Sequence, residues 1–313
     1  MQRLTLDQPL PEDLRGAVIA LGNFDGFHFG HQAVVGRAIA RAAHERRPCI
    51  VATFDPHPVR HFRPDAPPFR LTSLDQRQEL FGHAGADAMF VFRFDDALAS
   101  MSAENFIKEM LAERLGAAAV VTGEDFTFGK GRGGNAEVLR EVGATHGIEA
   151  EAVSEVALED ATVSSSRIRE ALQSGDPHTA TRLLTRPFAV RGPVIHGDKR
   201  GRELGWPTAN MDLGHYVRPA YGIYAVRVTL PDGNEHDGVA NLGVRPMFDP
   251  PKELLETYIF DWEGDLYDQQ VEVALIHYLR PEAAFHDLDA LKRQIAEDEA
   301  EARRLLAAGA TTP

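Results

Sequence analysis

In the first half of the chain, short apolar runs alternate with longer segments in which apolar residues recur every three or four positions. Short runs bounded by glycine or proline are typical of buried strands, and the three-to-four spacing is typical of helices that bury one face. The predicted strands are residues 18–21, 49–54, 88–94, 117–122 and 148–153. The predicted helices are residues 29–46, 73–82, 102–115, a segment that begins at Asn135, and 163–172. This alternation predicts an α/β fold with a doubly wound parallel sheet and right-handed crossovers.

The pattern changes at Arg186 and Pro187. Beyond them, glycine, proline and β-branched residues increase, and strands follow one another without helices between them. These strands are residues 188–195, 222–230, 237–241, 255–260 and 271–278, with a hairpin turn at 231–233 and an amphipathic helix at 288–308. We therefore predict two domains: residues 1–185 form the parallel α/β domain, and residues 186–313 form a small antiparallel β-barrel with a C-terminal helix.

Composition narrows the class of protein. The 313 residues suffice for two domains with separate cores, and the formal net charge of −14 argues against a broad nucleic-acid surface. No apolar run approaches the roughly 20 residues of a membrane helix, and the N-terminal segment has no signal-peptide pattern. We expect a cytoplasmic protein with no nucleic-acid or membrane partner, while self-association stays open. The single cysteine, Cys49, excludes an internal disulfide and is predicted to be an inert core residue.

The segment VIALGNFDGFHFGH, residues 18–31, carries the first candidate site. It predicts a buried strand, a turn at Gly22 and Gly26, and a helix whose first turn carries His28 and His31. Unpaired backbone N–H groups at a helix start attract anions, and two imidazoles one turn apart face the same side. The glycines remove side-chain bulk where phosphates would approach the backbone. The segment predicts a polyphosphate site, against the plainer alternative of an ordinary strand–turn–helix joint with solvated histidines.

Three further segments of the first half carry polar groups at positions where a ligand could bind. DPHP, residues 55–58, ends a strand and presents His57, although a histidine of an ordinary loop is the alternative. GEDFTFGKGRGG, residues 123–134, fits a loop that closes over a phosphorylated ligand, or a solvated linker. VSSSRIREAL, residues 163–172, brings three hydroxyls and two arginines to a helix start, which exceeds what capping alone requires.

In the second half, the clearest polar pattern is GDKRGRELGWPTAN, residues 197–210. Thr208 and Asn210 stand two positions apart, so on an extended segment their side chains face the same way. Hydroxyl and amide oxygens are hard ligands that suit Mg²⁺ beside substrate phosphates. From composition alone, however, PTAN favours a turn.

HFGH, residues 28–31, resembles the HxGH signature of the nucleotidyltransferase superfamily, which adenylyltransferases share with class I aminoacyl-tRNA synthetases. The longer string GNFDGFHFGHQ resembles the bacterial bifunctional riboflavin kinase/FAD synthetase family. Blocks similar to that family follow in the expected order between about residues 17 and 308. They are TFDPHP, GEDFTFGKGRGG, SSSRIRE, GRELGWPTAN, GVANLGVRPMF and ETYIFDWEGDLYDQQ.

For the first half, the resemblance implies that His28 and His31 are the catalytic groups of an FMN adenylyltransferase. It also implies a set of ATP- or flavin-binding residues. These are Gly22, Asn23, Phe24, Asp25, Gly30, His57, Asp125, Phe126, Phe128, Ser165, Ser166 and Arg167.

For the second half, the resemblance implies that Thr208 and Asn210 hold Mg²⁺ and ATP and that Glu256 is the base of a riboflavin kinase. The implied ATP- or flavin-binding residues are Gly197, Lys199, Gly201, Arg202, Gly205, Pro207, Asn241 and Arg245. Five positions depart from the family pattern: Asp55 replaces Glu, Ser166 replaces Thr, Trp206 replaces Phe, Met247 replaces Thr and Asp268 replaces Gly.

The implied activity has two ATP-dependent steps. Riboflavin is phosphorylated to FMN with Mg²⁺, and FMN then reacts with a second ATP to give FAD and pyrophosphate. Two alternatives remain at this point. One is an HxGH adenylyltransferase for another acceptor, which leaves PTAN without a role. The other is a flavin-binding regulator with an inactive kinase half, in case Met247 and Asp268 disable that site.

Overall fold

A computed structural model describes residues 1–158, 161–197, 205–245 and 252–309. The chain forms two compact units. The first comprises Met1–Pro67 and Leu74–Ser164, and the second comprises Pro68–Ser73 and Ser165–Pro313. The units divide between Ser164 and Ser165, and the domain boundary after residue 185 stays a prediction.

The first unit is built on a six-stranded sheet with strand order β1-β4-β3-β2-β5-β6, in which every neighbouring pair is parallel. This confirms the predicted doubly wound parallel sheet. Its strands are β1 Gln2–Thr5, β2 Val18–Leu21, β3 Cys49–Asp55, β4 Ala88–Arg93, β5 Ala119–Gly123 and β6 Glu149–Val153, and a small ribbon pairs β7 Ala157–Leu158 with β8 Ala161–Thr162. Its helices are α1 Phe29–Glu45, α2 Pro58–Phe62, α3 Leu74–Ala84, α4 Asp96–Ser100, α5 Ala103–Asn105 and α6 Ala136–Thr145.

Side-chain caps fix where several helices begin. Ser102 Oγ accepts the N–H of Asn105 at 3.2 Å, and Asn135 Oδ1 accepts the N–H groups of the second and third residues of α6 at 3.0 and 2.9 Å. The sequence predicted both starts. The predicted single helix over 102–115 is instead α5 followed by a π-helix over Phe106–Arg114, in which the Leu115 N–H bonds the Met110 carbonyl five residues back.

The core of the first unit lies on both faces of the parallel sheet. Ile19 and Leu21 of β2 contribute to one apolar layer, and Val18 and Ala20 contribute to the other. Cys49 is buried, and burial together with the Asp87 charge raises the pKa of its thiol to about 12. The thiol is therefore inert, as the sequence predicted.

The second unit contains a six-stranded antiparallel sheet with strand order β10-β13-β12-β11-β14-β9. Ile195, just after β9, forms an antiparallel bridge with Asn210 of β10, so the two edges of the sheet meet in a barrel-like arrangement. Its strands are β9 Phe188–Pro193, β10 Thr208–Asp212, β11 Gly222–Thr229, β12 Glu235–Arg245, β13 Lys252–Ile259 and β14 Gln270–Arg280. Its helices are α7 Ser165–Gln173, α8 Pro177–Leu184 and α9 Leu288–Gly309.

Two details of the second unit bear on the predictions. The hairpin turn predicted at residues 231–233 joins β11 to β12, and Gly233 adopts a positive φ of 86° that glycine tolerates without strain. PTAN, for which composition alone favoured a turn, begins strand β10. That expectation was wrong because β10 gains its backbone partners from β13, about fifty residues further along the chain.

The segment Pro68–Ser73 belongs to the second unit although it precedes α3 of the first. The Arg70 N–H bonds the His215 carbonyl at 3.0 Å, and the Val217 N–H bonds the Arg70 carbonyl at 2.8 Å. Within the ranges that the structure describes, no helix is long and apolar enough to cross a membrane.

Two candidate active sites

The first candidate site is the turn between β2 and α1. Phe24, Gly26 and Phe27 adopt positive φ angles of 50°, 88° and 44°, which fold the chain tightly between strand and helix. The ring of Phe24 lies over Gly22, where an added Cβ would come within 2.9 Å of it. Gly22 is therefore needed so that Phe24 can pack across the turn.

The turn brings His28 and His31 together. Their ring centroids lie 3.5 Å apart with an interplanar angle of 20°, so the two imidazoles stack face to face. His28 is also the N-cap of α1, because its Nδ1 accepts the backbone N–H of His31 at 3.3 Å. An accepting Nδ1 places the proton of the neutral ring on Nε2. The His28 side chain thus combines a structural cap at one nitrogen with a hydrogen-bond donor at the other.

Aromatic contacts set the orientation of His31. The ring of Phe24 meets the ring of His31 edge to face at a centroid distance of 5.3 Å. On its other side, Phe24 contacts Phe81 of α3 at 5.8 Å, and Phe27 contacts the same ring at 5.1 Å. The turn is thereby fastened to α3, and the His31 ring has a fixed neighbour.

Three polar residues that the sequence analysis missed hold the end of β2. Thr122 Oγ1 of β5 donates to the Leu21 carbonyl at 3.0 Å, and Thr53 Oγ1 of β3 donates to the Asn23 carbonyl at 2.8 Å. Arg77 of α3, only 2 % exposed, donates to that same carbonyl at 3.1 Å and to Thr53 Oγ1 at 3.0 Å. Its guanidinium also lies 3.9 Å from the Asp55 carboxylate. No local pattern marks these residues, because each acts from a different element.

This turn lies where ligands bind in open parallel sheets. The chain proceeds from β2 outward through β3 and β4 on one side of the sheet and then returns to β5 on the other side of β2. A crevice forms at the carboxyl ends of the strands where the order reverses in this way. α1 begins there with Phe29, and the first N–H groups of a helix, with its dipole, favour an anion.

The remaining predicted residues of the first unit are distributed as follows. Asp25 is buried within the turn, Gly30 lies in the first turn of α1, and His57 caps α2 by accepting the Val59 N–H at 3.2 Å. Asn23 Oδ1 is buried and has no hydrogen-bond partner among the described residues. The structure thus collects around the β2 turn several groups that the sequence singled out.

The loop after β5 divides its predicted residues between surface and core. Asp125 is exposed, and the half-buried ring of Phe126 stacks at 6.5 Å from Phe54. Phe128 is buried in the core, 5.5 Å from the ring of Phe106. Of the two phenylalanines expected near a ligand, Phe126 is the one with an accessible face.

Ser165, Ser166 and Arg167 form the first turn of α7 in the second unit. A helix start with two hydroxyls and a guanidinium retains the chemistry that the sequence indicated. Their assignment to ATP remains a prediction from the SSSRIRE motif.

The second candidate site is a polar row across three neighbouring strands. In the register of the sheet, Asn210 of β10 stands opposite Glu256 of β13, and Glu256 stands opposite Asn241 of β12. Residues directly opposite in antiparallel strands share a face, so these three side chains lie side by side. Thr208 occupies the next position of β10 on that face, opposite Tyr258.

Two amide oxygens of this polar row have no hydrogen-bond partner in the part of the chain that the structure describes. Asn210 is 6 % exposed, and among the described residues neither its Oδ1 nor that of Asn241 has a hydrogen-bond partner. Buried polar atoms usually have partners, so two orphaned amide oxygens in one row indicate a site prepared for a ligand. Gly197 lies against Asn210, and a Cβ there would approach the Asn210 amide nitrogen to 2.5 Å. Only glycine leaves that space open.

Four of the residues that the sequence analysis named in the second half lie outside the described residues: Lys199, Gly201, Arg202 and Met247. Gly205 and Pro207 precede β10, and Arg245 ends β12. Asp268 adopts a positive φ of 61°, the backbone conformation that the glycine of the family pattern would take without strain.

The described residues of the two units do not group metal ligands of the usual acidic or imidazole type. In the ranges that the structure describes, no cluster of three or more histidines, cysteines or carboxylates could hold a metal ion. The hydroxyl of Thr208 and the orphaned amide oxygen of Asn210 are instead the neutral oxygen donors that Mg²⁺ accepts together with phosphate oxygens. The donor set therefore fits a cation that arrives with a nucleotide.

Comparison with known proteins also separates the chain into two parts, each of which matches a different family model. A family model described as FAD synthetase matches residues 10–167, and one described as riboflavin kinase matches residues 184–306. Among curated proteins, bifunctional riboflavin kinase/FMN adenylyltransferases from Pseudomonas fluorescens and Escherichia coli (strain K12) are 41% and 37% identical, each over 95% of both chains. A solved structure of a protein from Streptococcus pneumoniae described as a macrolide-efflux protein matches with a TM-score of 0.85 and 30% identity, over 96% of this chain and 98% of that one.

The two sites lie in parts of the chain that two different enzyme families match, and relatives that carry both activities align along nearly the whole length. With matches of this extent in both halves, the chain belongs to the bifunctional riboflavin kinase/FMN adenylyltransferase family.

Proposed function

We propose that the β2 turn of the first unit is where FMN is adenylylated and that the polar row of the second unit is where riboflavin is phosphorylated. The chain is a transferase with both activities, and its small-molecule substrates are riboflavin, FMN and ATP. The observation that carries the assignment is a contrast in chemistry. Stacked imidazoles at a helix start offer donors for phosphate, whereas the orphaned amide oxygens of the polar row offer acceptors for a cation.

In the adenylylation step, a phosphate oxygen of FMN attacks the α-phosphorus of ATP, and pyrophosphate leaves. A phosphate monoester is already ionised near neutral pH, so the step needs no strong base. It needs two anionic groups to be aligned and the charge of the transition state to be stabilised. The Nε2–H of His28, the ring of His31 and the N–H groups of α1 are placed to do this.

The other assignments in the first unit follow from position. Phe126 offers an accessible aromatic face for a flavin or adenine ring. The predicted contributions of Asn23, Asp25, Gly30 and His57 are consistent with their place at or next to the carboxyl ends of β2 and β3.

In the phosphorylation step, the terminal ribityl hydroxyl of riboflavin attacks the γ-phosphorus of ATP, the bond from that phosphorus to the β–γ bridging oxygen breaks, and ADP leaves. Glu256 accepts or orients the hydroxyl proton, and Asn241 stands beside it for contact with substrate. When bound by Thr208, Asn210 and the ATP phosphates, Mg²⁺ would supply positive charge that offsets the negative charge of the transferring group. Gly197 keeps the space beside Asn210 open for such a complex.

The two alternatives that the sequence left open are not favoured. An adenylyltransferase for another acceptor would not explain the riboflavin kinase match over residues 184–306, nor relatives named for both activities.

For location and partners, we propose a cytoplasmic protein that does not bind nucleic acid. The net charge of −14 supports the second point, because nucleic-acid surfaces need clustered positive charge.

The test is a chromatographic time course of riboflavin with ATP and Mg²⁺ for the parent and for Glu256→Gln. In the parent, FMN should rise before FAD. Glu256→Gln should lower riboflavin phosphorylation by roughly 10²-fold because the proton acceptor is lost, while added FMN is still converted to FAD at the parental rate. Glu263→Gln, at an exposed position beyond the end of β13, is the matched control. Equal loss of both activities in Glu256→Gln, or loss of neither, contradicts the assignment of sites.

A further inference from the structure

The C-terminal helix α9 makes a polar contact next to the polar row that the steps above do not use. The indole Nε1–H of Trp206 donates to Glu299 Oε2 at 2.9 Å. Trp206 stands two residues before Thr208, and Glu299 lies on α9, 93 positions further along the chain. Phenylalanine, the residue that the family pattern would place here, has no such donor.

Glu299 is held in position by its second oxygen. Oε1 accepts from Arg303, one turn further along α9, at 3.0 Å from Nε and 2.9 Å from Nη2. Arg303 in turn pairs with Asp261 at 2.7 and 3.1 Å and lies 4.2 Å from the ring centroid of Phe260. Asp261 and Phe260 immediately follow β13, the strand that carries Glu256. The contacts of α9 therefore link the approach to β10 with the end of β13.

A second observation places α9 beside the same face of the sheet. Tyr258 packs against the apolar cluster to which α9 contributes. Tyr258 stands directly opposite Thr208 in the sheet register. Ala302 and Leu306 of α9 are buried in the apolar cluster that covers this face next to the polar row. The helix is thus seated firmly enough to serve as an anchor.

The chain between the anchor and Thr208 is short and stiff. Only Pro207 separates Trp206 from Thr208, and proline fixes its own φ near −65° while restricting the residue before it. An indole that is held at its nitrogen therefore leaves the backbone entering β10 few alternative directions. Without the anchor, Thr208 keeps its pairing with Tyr258 of β13 and the contact of its carbonyl with the Asn210 amide nitrogen, but it loses the restraint on the chain that enters β10.

We propose that Glu299, acting through the indole N–H of Trp206, is a positioning residue of the kinase site that holds Thr208 in place for the ATP–cation complex. The proposal rests on the assignment of Thr208 to that complex. It predicts an effect on ATP binding in riboflavin phosphorylation and none on FMN adenylylation, which is assigned to the β2 turn of the first unit.

The test compares Glu299→Leu, which lacks an acceptor, with Glu299→Gln, which keeps one. Glu299→Leu should raise the KM for ATP in riboflavin phosphorylation about three- to tenfold, the range expected for the net contribution of one typical hydrogen bond, with kcat changed less than about twofold. Glu299→Gln should restore most of the affinity. Trp206→Phe should match Glu299→Leu in its effect on this KM, and the double variant Trp206→Phe/Glu299→Leu should be no worse than either, because the Trp206–Glu299 bond is lost in every case. Arg303, which also loses Glu299 in Glu299→Leu, keeps its pairing with Asp261. Glu297→Leu, at an exposed position of the same helix, is the control.

Tryptophan fluorescence can follow Trp206 while its hydrogen bond to Glu299 is intact. The chain has two tryptophans, so Trp262→Phe leaves Trp206 as the only indole. Its emission should change on titration with ATP and Mg²⁺, and the change should disappear when Glu299→Leu is added.

The outcomes distinguish a failure of the assignment of Thr208 from a failure of the positioning role of Glu299. If Thr208→Ala leaves riboflavin phosphorylation intact, that result contradicts both the assignment of Thr208 and the positioning role of Glu299. If Thr208→Ala abolishes phosphorylation but Glu299→Leu and Trp206→Phe leave the KM for ATP unchanged, only this inference is overturned. An unchanged Trp206 emission on nucleotide binding, or additive losses in the double variant, overturns it as well.

Discussion

The two candidate sites use opposite solutions to the handling of phosphate. In the first unit, a parallel strand ends at a helix start, and the site consists of hydrogen-bond donors: imidazoles and backbone N–H groups. In the described part of the second unit, by contrast, antiparallel strands display amide, hydroxyl and carboxylate oxygens side by side at the polar row. A donor site can bind a phosphate directly, whereas an acceptor site needs a cation between its oxygens and the phosphate. The backbone architecture of each unit thus decides which chemistry its side chains supply.

The sites also differ in how far apart their residues lie in the chain. His28 and His31 are separated by one helical turn, so local structure alone brings their rings to 3.5 Å. Asn210, Glu256 and Asn241 come from three strands and meet only through the register of the sheet. A change in strand pairing would move the second site by whole residues, while the first would persist as long as α1 begins at the same place.

The strongest way to test this contrast is to remove the donors of the first site. His28→Ala/His31→Ala should lower FMN adenylylation by roughly 10²-fold or more, because donors aimed at the transition state are lost, and it should leave riboflavin phosphorylation nearly intact. Separate assays with riboflavin and with FMN as substrate measure the two activities.

His28→Asn separates the two functions of His28 in this experiment. Asparagine is a good N-cap, so this variant should keep the stability of α1 while it loses the Nε2 donor. If His28→Asn adenylylates FMN as fast as the parent, His28 acts only as a cap. If both activities fall together in the double alanine variant, the independence of the two sites is contradicted.

A smaller effect should follow from loosening the support of the first site. Arg77→Met removes the buried donor to the Thr53 hydroxyl oxygen and one of the two donors to the Asn23 carbonyl. It also removes the charge beside the Asp55 carboxylate, so it should destabilise the first unit by about 3 kcal/mol and slow adenylylation. Arg93→Met, at a side chain that is 83% exposed, should cost less than about 0.5 kcal/mol.

Urea unfolding can assign this loss of stability to one unit. Both tryptophans, at positions 206 and 262, belong to the second unit, so their fluorescence reports on that unit, whereas far-UV circular dichroism reports on both. Arg77→Met should shift the dichroism transition and move the tryptophan transition less. A shift confined to the tryptophan signal would show that Arg77 does not support the first unit.

The smallest expected effect is a pH dependence of the stability of the second unit. His277 Nδ1 of β14 lies 2.9 Å from His178 Nε2 of α8. Burial lowers the pKa of His277 from its ordinary 6.5, and the nearby His178 and Arg304 lower it further, against the opposing charge of Glu301. In the unfolded chain His277 takes up a proton below about pH 6.5, whereas in the folded unit it resists protonation until a lower pH. The stability of the second unit should therefore decrease as the pH falls below 6.5.

Tryptophan-detected urea unfolding between about pH 5 and 8 measures this decrease, since His titrates in that range. His277→Asn should flatten the decrease, and His286→Asn, outside the pair, should not. An unchanged profile in His277→Asn would show that the pair does not control the stability of this unit.

The parts of the molecule that could be predicted from the sequence are those that local pattern determines. The parallel strands of the first unit, the caps at Ser102 and Asn135 and the hairpin turn at 231–233 all depend on residues near in the chain. The π-helix that follows α5 was not predictable, because the same periodicity fits both helix types. Nor did any local signal reveal that residues 68–73 pair with Tyr216 and its neighbours in the second unit.

By itself, the sequence determined the two classes of fold and the identity of the His28–His31 turn, since a strand end, two glycines and a helix start within fourteen residues leave few arrangements. Only the tertiary structure decided what supports that turn and where the second site lies. Arg77, Thr53 and Thr122 reach the end of β2 from three other elements, and Asn210 faces Glu256 only because β10 pairs with β13. Such contacts depend on chain segments far apart in sequence, whose pairing is selected by burial of the whole core rather than by any local pattern.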